Sequence, residues 1–371
     1  MQFFVWTKMV FCVIIYWKNY KGRCFAMIGL RIGIDFGSTS FTVFVEGKGV
    51  VMCEPSVIIC DKFSGRTLAI GATAKKMCEK LPDSMEAKYP IKDGIVTDSE
   101  LACIMLRNCF NKICYGKLFK PNVLMCVPST VTPLQRKTVF DTVMSAGAGR
   151  ACFVDESLAA AIGAGVSLTQ PRGTLVCDIG GGVTDCSVVT MGNIAVSESI
   201  KIGGNDITKA ICEYSLRKYK LEIGMPTAEE IKTTVGGALI RNHEVAVIAC
   251  GKNSDNGLPG EAEFNSNEIH SVIMPRIEEI ASCITRVLEK TPPELCGDIT
   301  ETGIILTGGS SNLFGLREYI QRITKVKTVV AESAEECAAR GIGILLKDMK
   351  YLDRNGYVFR ASASETEENG E

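Results

Sequence analysis

The chain has 371 residues, 46% of them hydrophobic and 22% charged, which describes a globular protein with room for two to four domains. Its formal net charge of −1 gives no electrostatic case for a nucleic-acid partner. The 17 cysteines include no Cys-x-x-Cys pair, and the histidines are two, His243 and His270, so no zinc site is visible. Buried, reduced thiols of a cytosolic protein are the expectation.

The first 26 residues stand apart. Phe3–Trp17 is apolar except for Thr7 and Lys8, and Lys18, Lys21 and Arg23 follow. This stretch is shorter than a membrane span of about 20 apolar residues and lacks the basic start of a secretory signal. Two readings fit it: an anchor lying on a membrane surface, or translation from an upstream codon with Met27 as the natural start.

From Arg31 the chain reads as a β-meander, with strands at Arg31–Ile34, Thr42–Val45, Val50–Met52 and Val57–Cys60. Residues 61–96 are more polar and carry Gly65, Gly71, Pro82, Pro90 and Gly94, as a small inserted lobe would. Helical spacing covers Leu101–Cys114 and Thr132–Ala146, with a buried strand at Val123–Val127 between them. A short strand at Cys152–Val154 leads into a small-residue helix at Ser157–Gly165. The second half repeats the plan: a hairpin over 175–190, a strand at Ile194–Ile200 and a helix at Ile207–Tyr219. Then come an insertion over 221–265 with a helical stretch at Thr227–Val235, a long helix at Ser271–Lys290 and a buried strand at Gly303–Thr307. The tail, most polar from Ala361, cannot build a core. The domain reading is an extension over 1–27, a first lobe over 28–170 with an insert at about 59–97, a second lobe over 171–350 with an insert at about 209–267, and a disordered tail over 351–371.

One phrase occurs twice. An apolar strand runs into Asp and a small-residue turn at Ile34-Asp35-Phe36-Gly37-Ser38-Thr39-Ser40, and again at Cys177-Asp178-Ile179-Gly180-Gly181-Gly182-Val183. Each is followed by β-rich sequence, so each turn is a hairpin tip. Glycine lets backbone N–H groups close on an anion, and three in a row cost roughly 0.5–1 kcal/mol each relative to Ala. A close backbone approach to phosphate explains that cost. Asp35 and Asp178 suit a hydrated Mg²⁺, which takes few carboxylates and keeps several waters.

Other phrases are ambiguous locally. Asp155-Glu156 opens the small-residue helix, either as carboxylates favoured by its dipole or as a group that orients a water attacking a γ-phosphate. The turn Gly308-Gly309-Ser310-Ser311 could let a flat base lie against the backbone or simply end a strand. Glu229-Glu230-Ile231-Lys232 could be a solvated helix face. Leu118 and Phe119, flanked by Lys117 and Lys120, could enter a membrane surface or fold back over a helix end.

In this order, the phrases resemble the actin, heat-shock chaperone and sugar kinase superfamily. Gly47-Lys48-Gly49, Glu54-Pro55-Ser56-Val57, Pro90-Ile91-Lys92-Asp93-Gly94, Thr227-Ala228-Glu229-Glu230-Ile231-Lys232 and Val287–Leu295 are similar to its MreB branch, the bacterial actins. The likeness runs from about Leu30 to Asp348. It implies an α/β fold of two duplicated ribonuclease-H-like lobes, each with a small insert, around a nucleotide cleft. It further implies ATP with Mg²⁺, slow hydrolysis, and polymerisation into filaments on the inner face of the membrane that organise cell-wall synthesis alongside membrane proteins of the elongation machinery. Carried over, Ser38, Thr39, Ser40, Gly180, Gly181, Gly182 and Val183 would hold phosphates, with Asp35 and Asp178 near the metal. Glu156 would activate water. Glu229, Glu230, Ile231 and Lys232 would lie on the nucleoside, Gly308, Gly309, Ser310 and Ser311 on the base and ribose side, and Leu118 and Phe119 on the membrane loop.

The chain departs from the family pattern at four points. Gly37-Ser38-Thr39-Ser40 stands for Gly-Thr-Ala-Asn, Val183 for a Thr, Ser157 for the Pro after the catalytic Glu, and Ser310 for a third Gly. Val183 removes a hydroxyl and bears on hydrolysis rate. The competing functions are a small-molecule kinase, a peptide-binding chaperone and a non-polymerising actin-like ATPase of a membrane assembly system. The chaperone lacks a substrate domain, since some 20 residues follow Asp348.

Overall fold

A computed structural model describes residues 29–361 except Glu79. The readings of residues 1–26 lie outside the described residues. The first half holds β1 (Arg31–Phe36), β2 (Ser40–Val45), β3 (Gly49–Pro55), β4 (Ile58–Asp61), β5 (Thr67–Ile70), α1 (Ala72–Cys78) and β6 (Met85–Lys88). It continues with β7 (Ile91–Lys92), β8 (Ile95–Val96), α2 (Ser99–Ile113), β9 (Asn122–Val127), α3 (Pro133–Ala146), β10 (Arg150–Asp155) and α4 (Glu156–Gly163).

The second half opens with β11 (Thr174–Ile179), β12 (Thr184–Thr190), β13 (Asn193–Ile200), α5 (Gly204–Tyr219), β14 (Leu221–Glu222) and α6 (Met225–Val235). There follow β15 (Ala246–Asn253), β16 (Pro259–Asn265), α7 (Ser266–Lys290), α8 (Pro293–Thr302), β17 (Ile304–Thr307), α9 (Leu316–Thr324), β18 (Thr328–Val330), α10 (Cys337–Lys347) and α11 (Met349–Arg354).

The two halves build the same sheet. The first runs β10-β9-β1-β2-β3 and the second β13-β12-β11-β17-β18, each five strands wide. In both, a three-stranded antiparallel meander is extended by two parallel strands that need helical crossovers. The inserts form separate three-stranded sheets, β5-β4-β6 and β14-β15-β16. Each main sheet has its own apolar core, and a third core lies between them. This third core gathers Leu124, Val154, Val176, Val189, Ile342 and Leu346 with the Ala-rich helix α4. There α4 and α10 cross so closely that a Cβ on Gly163 would overlap the Cys337 carbonyl, and one on Gly341 the Ala159 carbonyl.

Local chemistry sets the element ends. Asp98 caps α2 by accepting from Leu101 N at 3.0 Å, and Thr132 and Gln135 form a capping box on α3, which stops at left-handed Gly147. The long helix begins five residues before the expected Ser271, because Asn265 caps it through Glu268 N. The expected tail over 351–371 also needs correction for its first ten residues. Tyr351 and Leu352 are buried, and Arg360 and Ala151 exchange two backbone hydrogen bonds of 2.9 Å.

Candidate functional site

The two repeated turns meet. Gly37 N donates to Ser40 O at 3.1 Å and Gly180 N to Val183 O at 2.9 Å, so both hairpins close in the same way. Ser38 Oγ accepts from Gly94 N at 2.9 Å, and the Ser38 and Thr39 side chains stand where a Cβ on Gly182 or Gly181 would go. The two tips are therefore in direct contact, and a side chain at Gly181 or Gly182 would have to displace Thr39 or Ser38.

Behind the tips lie four carboxylates. Asp35 ends β1, Asp178 lies on β11, Asp185 on β12, and Glu156 opens α4. Asp178 is 6% exposed and Asp185 2%. Burial pushes Asp35 up to about 7, with the charge of Asp178 adding to it. Burial raises Asp178 to about 6, opposed by a 2.6 Å hydrogen bond from Thr307 Oγ1. Asp185 is raised to about 7 by burial, opposed by donation from Ser199 Oγ and then raised further by Asp178. Glu156 rises well above the usual carboxylate range through burial first, then Asp35, Asp178 and Asp185. Asp155 instead pairs with Arg136 at 3.9 Å and makes no cap bond.

Four carboxylates this close oppose one another's ionisation, and a cation among them would favour their charged forms. Among the described residues no three His, Cys, Asp or Glu side chains are arranged to hold a metal ion by themselves. The donor set therefore suits Mg²⁺ held by one or two carboxylates and completed by water and phosphate oxygens. A closed protein cage would need more ligands.

Beside the second turn sits a denser polar cluster. The start of α5 docks on it, with Gly204 N donating to Gly180 O at 3.0 Å and Asn205 N to Gly181 O at 2.8 Å. Lys232 is 7% exposed; its Nζ donates to Gly204 O and Thr208 Oγ1 at 3.1 Å and pairs with Glu229 at 2.7 Å. Ser310 Oγ donates to Gly180 O at 3.1 Å, and Ser311 Oγ to Gly308 O at 2.6 Å. Gly308 adopts a φ of 82° and lies against the Ile179 backbone. Glu229, Lys232 and the late turn thus converge on the second glycine turn.

Two of the expected residues point elsewhere. Ile231 is buried in the second core, and Glu230 lines a cavity of about 200 Å³ between α6 and β15. A helix that aims Lys232 at α5 turns its neighbouring positions to other faces. A larger cavity of about 380 Å³, lined by Phe41, Met52, Met105 and Lys112, lies in the first half and apart from the carboxylates. Leu118 and Phe119 are also remote from the cleft. They are 90% and 51% exposed, so the apolar pair does not fold back over α2.

Sequence reasoning missed Asp185, Thr307, Thr208 and Ser199. A signal for Asp185 was present: counting outward from the four-residue turn places it directly opposite Asp178.

This arrangement has known counterparts. The family model for MreB/Mbl protein matches residues 29–354. The chain is 38% identical over 331 residues to the cell shape-determining protein Mbl of Bacillus subtilis (strain 168), covering 88% of this chain and 99% of Mbl. It is 33% identical over 345 residues to the cell shape-determining protein MreB of Escherichia coli (strain K12), covering 91% and 97%. A crystal structure of MreB5 of Spiroplasma citri bound to AMPPNP superposes with a TM-score of 0.84 at 32% identity, covering 89% of this chain and 99% of that one. The MamK double helical filament shares the fold, with a TM-score of 0.72 at 18% identity over 86% and 99%. With two duplicated lobes about a carboxylate-lined cleft, the chain belongs to the MreB/Mbl protein family.

Proposed function

We propose that this protein is an MreB-like cytoskeletal ATPase, forming ATP-dependent filaments on the inner face of the cell membrane that organise cell-wall synthesis and rod shape. The observation that carries the reading is the convergence of two small-residue turns on four carboxylates, Asp178 and Asp185 buried and Asp35 and Glu156 half-buried. Ser38, Thr39, Ser40 and Gly180–Val183 would bind the phosphates. Asp35 and Asp178 would hold Mg²⁺, which when bound neutralises charge on the phosphate oxygens. Glu156, with its pKa raised, would orient and deprotonate the attacking water. Lys232, Glu229 and the turn at Gly308, Gly309, Ser310 and Ser311 would seat the nucleoside. The lobes would divide near residue 170.

The names of the relatives and the MamK filament support self-association and a role in cell shape. The solved AMPPNP and ADP complexes of MreB5 support a nucleotide in the cleft. Among the described residues no helix is long and apolar enough to cross a membrane. Attachment would use the Leu118–Phe119 loop, whose apolar side chains are exposed between Lys117 and Lys120.

The test is sedimentation with electron microscopy, using ATP, Mg²⁺ and anionic lipid vesicles. Nucleotide-dependent pelleting of filaments is expected. Its absence under every lipid condition would favour the non-polymerising actin-like ATPase. Phosphate release at the wild-type rate from Glu156→Ala would remove that residue from the mechanism.

A further inference from the structure

A chain of three hydroxyls links the two main sheets. Ser129, in the turn after β9, lies 3.3 Å from Ser157 Oγ, and Ser157 Oγ lies 2.7 Å from Ser187 Oγ on β12. Ser157 and Ser187 are fully buried. The backbone of Ser129 also donates to Asp185, which lies two residues before Ser187 on the same face of β12. The result is a polar network that joins three segments: the β9–α3 turn of the first sheet, the first turn of α4, and β12 of the second sheet.

A serine hydroxyl donates one hydrogen bond while accepting others, so Ser157 can serve both neighbours at once. Proline, the residue expected here from the family pattern, would fix φ but offer no side-chain donor or acceptor. Glu156 is the adjacent residue and shares the same helical turn. The far end of α4 is held by its crossing with α10, whereas at this first turn the Ser157–Ser187 bond fastens the helix to β12, the strand that carries Asp185 and follows the second glycine turn.

We propose that Ser157 is a positioning residue, whose hydroxyl bridges the two sheets and thereby fixes Glu156 against the second glycine turn. The inference rests on the reading of Glu156 as the group that orients water. Losing the bridge should loosen Glu156 while leaving the groups around the phosphates and nucleoside in place. Ser157 should therefore act on turnover and not on nucleotide affinity.

The test compares Ser157→Ala, Ser157→Thr, Ser187→Ala and the double alanine variant in the full chain with ATP and Mg²⁺. Ser157→Ala should lower kcat about tenfold with the affinity for a fluorescent ATP analogue within twofold of wild type. Ser157→Thr should restore most of the rate, and adding Ser187→Ala to Ser157→Ala should cost nothing further. Hydrogen exchange of the amides at 156–158 should quicken in both single alanine variants. If Ser157→Ala does not fold, Ser187→Ala must show the same kcat-only loss. An unchanged kcat, or kcat and affinity falling together, overturns the proposal. If wild-type turnover is below detection, unchanged exchange at 156–158 overturns it. A wild-type protein that binds no ATP overturns the reading of the site and this inference with it, whereas normal wild-type turnover with an indifferent Ser157→Ala removes the inference alone.

Discussion

Asp178 and Asp185 are direct partners across one hairpin, held on β11 and β12 with both side chains almost wholly buried. Like charges opposite one another weaken a sheet, and an unpaired buried carboxylate is costlier still. The fold answers with one hydroxyl for each, Thr307 for Asp178 and Ser199 for Asp185. The matching pair in the first hairpin is Asp35 opposite Thr42. The duplicated halves therefore differ where they face the cleft, and the second half supplies the extra carboxylate. Asp35 and Glu156 are left facing the cleft, where ligand and water would meet them.

Thr307 should be felt in metal-dependent binding. Its hydroxyl orients Asp178 from a strand 129 residues away in sequence. A hydrogen bond to a charged group contributes roughly 1.5–3 kcal/mol. Thr307→Val should weaken ATP binding in Mg²⁺ by about tenfold or more, while Thr307→Ser keeps it within about threefold. Titration calorimetry with and without Mg²⁺ decides the matter: an equal loss in both conditions would mean that Thr307 does not act through Asp178.

A second prediction concerns pH and lies outside the cleft. Glu198 on β13 is clamped by Lys290 at 2.7 Å and Arg286 at 2.5 Å on α7, and Lys290 first, then Arg286, hold its carboxyl below the ordinary value of 4.5. A folded-state pKa below the unfolded one gives stability that is present above about pH 4.5 and lost as pH falls through the folded value. Both cations are partly exposed, so the clamp is worth about 1 kcal/mol after solvent screening. Glu198→Gln should lower the melting temperature by about 1–2 °C at pH 7, a gap that shrinks below about pH 4.5. A gap independent of pH would show that lost packing, and not the charge, is responsible.

Much of the site was legible because its signals are local. Asp followed by a small-residue turn identifies Asp35 and Asp178 without knowledge of the fold, and the Ala-rich start of α4 marks Glu156. Thr307, Ser199 and Ser129 were not legible as partners, since each reaches its carboxylate or hydroxyl through strand pairing between distant segments. The ribbon β15–β16 escaped for another reason. In β15 apolar residues occupy both faces, Ile248 and Cys250 outward and Val247 and Ala249 inward, so no alternation marks it. β16 does alternate, with Glu261 and Glu263 exposed and Phe264 buried, but its other inward positions, Gly260 and Ala262, are too small to stand out. Glu230 and Ile231 show the limit of reading a four-residue phrase as a unit, because a helix sends successive side chains to different faces.

The crossing of α4 and α10 should tolerate no added carbon. A Cβ at Gly341 would overlap backbone of Ala159, which cannot swing aside as a flexible side chain would. Overpacking typically costs about 1–3 kcal/mol, and a backbone clash lies at or above the upper end. Gly297 gives the contrast: it sits inside α8 with nothing within 4 Å of its missing Cβ. Gly341→Ala should lower the urea midpoint sharply, while Gly297→Ala should raise stability by roughly 0.5–1 kcal/mol. Equal effects at the two positions would contradict the close crossing.

The exposed loop separates membrane attachment from folding and from nucleotide chemistry. Leu118 and Phe119 contribute little to either core, because both side chains are largely in solvent. Surface substitutions of this kind usually change stability by less than about 0.5 kcal/mol. Changing both residues to Ser should therefore leave the melting temperature and ATP turnover within error of wild type. Lys117 and Lys120 flank the pair, and an apolar tip beside basic residues gains from both burial and attraction to anionic headgroups. Co-sedimentation with phosphatidylglycerol vesicles should be lost in the double variant. Persistent binding at wild-type strength would exclude the loop as the anchor and direct attention to residues 1–26, whose apolar run and following Lys18, Lys21 and Arg23 carry the same chemistry.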